Sequence, residues 1–245
     1  MYTLAEFINM FSALVIVLGL GIIFRITLKN KSFAIRQIPI HVVGATILIL
    51  EVIKQTYHII HGDWHAWFLP LHFCSFFLVW YAVALFTRGK VRQLMYFCSL
   101  TGGILVSILL FAAPSMILHD ASRDIWSCFD HVHTYFYHIG MFAYWVWLLM
   151  LDIYQPEREH IKKTILVYTS FYFVVLAGAY IFHENFTDAL YSSVDAFNTA
   201  RLKIGQFLYD TILIGVGIGA ITGISFLTYH LLNKVRQHKN VVVKD

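Results

Sequence analysis

Four polar side chains recur along one apolar stretch: Glu51, Lys54, Gln55 and His58. Their spacings of three, four and seven put all four on one face of a helix. His41 and Gly44 extend that face. Opposite charges are costly against lipid, so this face must line a bundle interior or a wet cavity, with Glu51 and Lys54 paired. A second cluster opens another apolar run, Cys128-Phe-Asp-His-Val-His-Thr-Tyr-Phe-Tyr-His138. There His131, Thr134, Tyr135 and His138 share one helical face, and Asp130, His133 and Tyr137 share the adjacent one. Asp130 is placed to orient His131 or His133. A third run begins Trp67-Phe-Leu-Pro-Leu-His-Phe-Cys-Ser75, with Pro70 read as tolerated in the first helical turn. His72 and Cys74 are two apart and point to different sides of that helix, so a base for the Cys74 thiol must come from elsewhere.

The chain that positions these groups has 245 residues, 59% hydrophobic and only 13% charged. Its mean hydropathy is +0.68. A soluble fold of this size cannot hide so much apolar surface in one core. The composition excludes a disordered chain, a disulfide scaffold and a nucleic-acid module. The expectation is an all-α, multi-pass membrane bundle at the cell membrane. Crossing a bilayer takes about 20 mostly apolar residues, as helix. Seven stretches qualify: Phe7–Leu28, Ile38–Ile59, Trp67–Phe86, Val91–Ile117, Ser127–Ile153, Ile161–Phe182 and Phe207–Leu232. No basic region or cleavage pattern marks the start, so the first span is read as retained.

Lys and Arg are distributed unevenly. Fourteen of the eighteen fall in loops one-two, three-four and five-six and in the tail, with Lys234, Arg236, Lys239 and Lys244 in the last. The opposite loops hold only Arg123, Arg201 and Lys203. This asymmetry puts the N-terminus outside and the C-terminus in the cytoplasm. The net charge of +4 is then a sorting signal, and no nucleic-acid partner is expected. The whole chain, 1–245, reads as one seven-helix domain. A loop at about 183–206 lies outside and carries a short surface helix, and a basic tail at about 233–245 lies inside. Nine of the thirteen histidines fall outside or in the outer half.

Gly215, Gly219 and Gly223 fall four apart in span seven, the small-residue spacing that lets helices approach closely. Packing within the bundle is the first reading of this stripe, and a homodimer contact is the second. Gly102 and Gly103 in span four suit the same purpose. The three cysteines do not form a disulfide framework. Cys98 is read as packing, and a Cys74–Cys128 bridge stays open. No metal-ligand motif appears at convincing spacing, and no cofactor is expected.

Leu69-Pro-Leu-His-Phe-Cys74, the run Leu100-Thr-Gly-Gly-Ile and Tyr137-His138-Ile-Gly resemble the YwaF-like bacterial membrane proteins, relatives of the eukaryotic transmembrane protein 164. The resemblance spans roughly the second to sixth spans. It implies a lipid acyltransferase or hydrolase, with Cys74 as nucleophile and His138 as base, and membrane phospholipid as substrate. Lys54, Gln55 or His72 would then stabilise the oxyanion. Two other functions stay open. One is a solute or proton-coupled transporter using the Glu51–His58 stripe. The other is a haem or metal protein using His58, His72, His131 and His138.

Overall fold

The computed structural model describes residues 3–191 and 195–242. Residues 243–245, which include the tail's Lys244, lie outside the described residues. All regular structure among the described residues is helical. Among these residues nine α-helices follow in order: α1 Leu4–Leu28, α2 Phe33–His61, α3 Phe76–Phe86, α4 Gly89–Ala112, α5 Pro114–Leu118, α6 Phe129–Met150, α7 Arg158–Phe182, α8 Asp195–Ile204 and α9 Gln206–Val242. Within them, α1, α2, α4, α7 and the Gln206–Gln237 part of α9 are long and apolar enough to cross a membrane. α8 is the short helix expected in the loop after α7.

Two expected spans are interrupted at proline. Trp67–Phe86 is not one helix: it opens with 3-10 turns at Ala66–Phe68 and Phe73–Ser75, and only then enters α3. Leu69 has φ −58° and ψ 143°, the extended conformation that a following proline imposes. Pro70 therefore breaks the segment instead of starting it. The 11 residues of α3 rise about 16 Å, roughly half the hydrocarbon thickness. Likewise α4 stops at Ala112, and Pro114 starts the separate turn α5.

The contacts gather into two compact units, Met1–Asp63 with Phe77–Gln155, and Trp64–Phe76 with Pro156–Asp245. In the first, α6 is the hub and packs on α1, α2 and α4. Glycines admit this closeness. A Cβ on Gly140 would stand 3.0 Å from Ile47 of α2, and one on Gly103 of α4 would stand 2.6 Å from the Trp145 ring. The Trp145 indole N–H donates to Ser107 Oγ at 2.8 Å, and that of Trp147 to the Val17 carbonyl at 2.8 Å. The C-terminal carbonyls of α6 are closed by cations: Arg25 donates to Met150 O and Arg36 to Leu151 O, both at 2.9 Å. Such carbonyls have no partner inside the helix and carry its negative dipole end.

In the second unit α7 and α9 pack antiparallel, Arg158 lying near Lys234 and Tyr180 bonding Asp210. The segment Trp64–Phe76 lies along α7: Leu71 abuts Gly178, Phe73 stacks on Tyr168 and Phe76 meets Phe171. The expected packing stripe of α9 is not used here. A Cβ on Gly215, Gly219 or Gly223 would meet nothing within 4 Å. The α9 glycine that does pack is Gly217, against Tyr172.

Gly103→Ala should lower the unfolding free energy in detergent by about 1–3 kcal/mol, because the rigid indole cannot yield easily. Gly219→Ala should leave it unchanged, as read by thermal denaturation of both variants.

Candidate functional site

The two polar clusters of the first unit meet where α2 packs on α6. Glu51 is buried midway along α2, with its side chain 11% exposed. Lys54 Nζ lies 2.8 Å from Glu51 Oε1, and Gln55 Nε2 donates to the same oxygen at 2.7 Å. Across the seam, His133 Nε2 stands 3.5 Å from Glu51 Oε2. The carboxylate thus takes two donors from α2 on one oxygen and has the His133 imidazole of α6 near the other.

Two turns beyond Glu51, His58 is 2% exposed and has a carboxylate at each ring nitrogen. Nδ1 is 3.1 Å from Asp63 Oδ1 and Nε2 is 2.9 Å from Asp130 Oδ1. Asp63 reaches back because α2 ends at Gly62, whose φ of +73° turns the chain over the last helical turn. Asp130 therefore partners His58 rather than His131 or His133. It lies in the first turn of α6, on the face it shares with His133, and that face is turned to α2.

The other α6 residues diverge. His131 Nδ1 is 2.7 Å from the Asp124 carbonyl and 2.6 Å from Ser127 Oγ. Tyr135 turns to α1 and donates to Asn9 O at 2.9 Å, so it is no part of the α2 seam. His138 is buried, and its Nδ1 is 2.7 Å from the Thr134 carbonyl. A carbonyl only accepts, so Nδ1 carries the hydrogen and Nε2 of the neutral ring keeps its lone pair.

Cys74 and His72 belong to the second unit, which is described by itself. Cys74 lies half-buried in the 3-10 turn that leads into α3. His72 Nε2 donates to the Trp67 carbonyl at 3.2 Å, and its ring packs against Trp67 and Phe186. His72 thus holds the shape of the broken segment. Cys74, Cys98 and Cys128 form no disulfide, so the Cys74–Cys128 bridge is not made. Among the described residues, no three His, Cys, Asp or Glu side chains gather as a metal-holding group.

Two buried acids were not singled out from sequence. Glu6 accepts from Thr3 N at 2.8 Å, from Ser122 Oγ at 3.0 Å and from Arg123 Nε at 3.2 Å. The Thr3-x-x-Glu6 capping box was its readable signal. Asp210, on α9, accepts from Tyr180 at 2.6 Å and from Gln206 at 2.7 Å. Its signal was the i,i+4 pair with Gln206 at the start of an apolar run.

Residues 1–230 match the sequence model of the TMEM164 family. No curated protein and no solved structure gives a significant match.

Removing one member of the Glu51–Lys54 pair strands the other, so Glu51→Ala should cost about 3 kcal/mol or more. The Glu51→Met/Lys54→Met double variant should cost less than the sum of its singles, by roughly 1–3 kcal/mol. A double-mutant cycle of detergent-solubilised protein measures this, and additive losses would contradict a working pair.

Proposed function

We propose that this chain, which belongs to the TMEM164 family, transfers or hydrolyses acyl groups of membrane phospholipids. It is a multi-pass membrane protein with several apolar helices. The reading rests on the family resemblance of the Cys74 and His138 segments, and its roles are Cys74 as nucleophile and His138 as base. One observation carries it further: Thr134 O fixes the hydrogen of His138 on Nδ1, leaving Nε2 to take a proton. Cys74 lies two residues ahead of α3, at a helix end whose N–H groups favour negative charge.

In the proposed cycle the Cys74 thiol gives its proton to a base, the role that the family resemblance gives to His138, and Cys74 Sγ attacks the ester carbonyl. The tetrahedral intermediate collapses with loss of the lysophospholipid alkoxide, which takes the proton back from that base. Sγ is left as an acyl thioester. Water gives hydrolysis, or a lysophospholipid hydroxyl gives transfer. The same base takes the proton of that acceptor and returns it to the departing thiolate. Lys54 and Gln55 are committed to Glu51 and His72 to Trp67, so none of them is assigned to the oxyanion.

For topology we propose seven crossings in the cell membrane, N-terminus outside, with the broken segment Trp67–Phe86 as the third. Contacts inside the first unit support the alternation. The end of α2 meets the start of α6 through His58 and Asp130, and the start of α2 meets the end of α6 through Arg36 and Leu151. The uncovered Gly215, Gly219 and Gly223 stripe is proposed as a homodimer face.

In phosphatidylcholine vesicles, the wild-type protein should release lysolipid. Cys74→Ala should abolish this, His138→Gln should slow it about 100-fold or more, and Cys98→Ala should leave it intact. Unchanged turnover in Cys74→Ala, measured by lipid mass spectrometry, would refute the mechanism.

A further inference from the structure

An open groove of about 540 Å³ lies in the second unit, where α7 begins and α9 nears its end. Its walls carry Arg158, Tyr229, His230, Asn233, Lys234 and Gln237. On α9 these residues recur every three or four positions, so one face of the helix turns its donors toward Arg158. The floor is apolar, made by Ile161 and Phe226. No Asp or Glu is among the described lining residues. The acids flanking Arg158 have cationic or imidazole neighbours: Glu159 lies 3.0 Å from Lys163, and Glu157 lies 3.9 Å from His160. The N-cap residue of α7, Glu157, makes no side-chain cap bond to the first turn.

We infer that this groove binds a phosphate ester. A cavity, exposed cations from two helices, several neutral donors and a helix start coincide there, with no lining carboxylate. The volume exceeds that of one inorganic phosphate, so a phosphate joined to a polar body such as a polyol or glycerol suits it better. The groove lies where the apolar lengths of α7 and α9 give way to charge, which is the level of lipid headgroups in a bilayer. The same chemistry comes from a lipid headgroup or from a soluble phosphate ester. The site is separate from the proposed roles of Cys74 and His138.

The full chain in phosphatidylcholine nanodiscs tests this with three probes: inorganic phosphate, inositol 1,4-bisphosphate and phosphatidylinositol 4-phosphate. Native mass spectrometry and calorimetry should show saturable binding of a phosphate ester. Binding of both soluble and lipid esters identifies the phosphate group itself as the determinant. Binding of the lipid alone identifies a headgroup site. Either supports the inference. Arg158→Ala/Lys234→Ala should weaken binding about tenfold or more. Lys29→Ala/Lys31→Ala, which removes equal charge from exposed positions of the other unit, should not. Asn233→Asp/Gln237→Glu tests the same groove without removing either cation, and should also weaken binding while thermal stability is retained. Absence of binding by every probe would overturn the inference. So would equal loss in the two lysine- and arginine-deleted variants, which would mean diffuse charge attraction. Lipid turnover that persists while binding is lost would separate this site from the catalytic reading.

Discussion

A carboxylate halfway along an apolar helix must be matched by donors within reach, and Glu51 is that carboxylate. Water is scarce there, so an unmatched charge costs far more than it would at a protein surface. The first unit is arranged to meet this demand. Lys54 and Gln55 answer from the next turn of α2, and the His133 imidazole of α6 stands 3.5 Å from the other oxygen. For α6 to come near enough, the seam must be free of bulk, and Gly140 provides the room against Ile47. Once the helices are in register, His58 falls between Asp63 and Asp130. Electrostatic satisfaction and close packing thus fix the same α2–α6 geometry.

The same logic governs the helix ends. The α6 carbonyls at Met150 and Leu151 receive Arg25 and Arg36, while Glu6 closes the start of α1 and takes Ser122 and Arg123. In the second unit, Asp210 is held by Tyr180 and Gln206 near one end of the α7–α9 pair. The cations Arg158 and Lys234 face a groove at the other end. Charges buried against helices are therefore answered one by one, and those at the groove face open space.

Local periodicity made much of this readable. The Glu51–Lys54 pair follows from a spacing of three within one helix, and helix placement follows from runs of apolar residues. What crosses between helices was harder to see. Asp130 bonds His58, 72 residues away in the chain, because a helix's rotation about its axis decides which polar face meets which neighbour. Tyr135 shows the same limit, since its face turned to α1. Pro70 departs from the expected first helical turn for a local reason: the residue before a proline resists helix, so the segment begins as turns and the helix waits until Phe76. The α9 glycines showed the right spacing for packing, yet spacing alone cannot say whether a neighbour is present.

The functional account reduces to one covalent claim, that Cys74 carries the acyl group between donor and acceptor lipid. Cys74 lies in the broken backbone ahead of α3, and His138 has its Nδ1 bonded to the Thr134 carbonyl, which leaves Nε2 as the basic nitrogen of its ring. The direct measurement is the mass of the Cys74-containing peptide after brief exposure of the intact protein to phosphatidylcholine. The account predicts an added acyl chain on Cys74 that neutral hydroxylamine removes and that fails to form in His138→Gln. An unmodified Cys74 peptide from protein that is turning over lipid would contradict it.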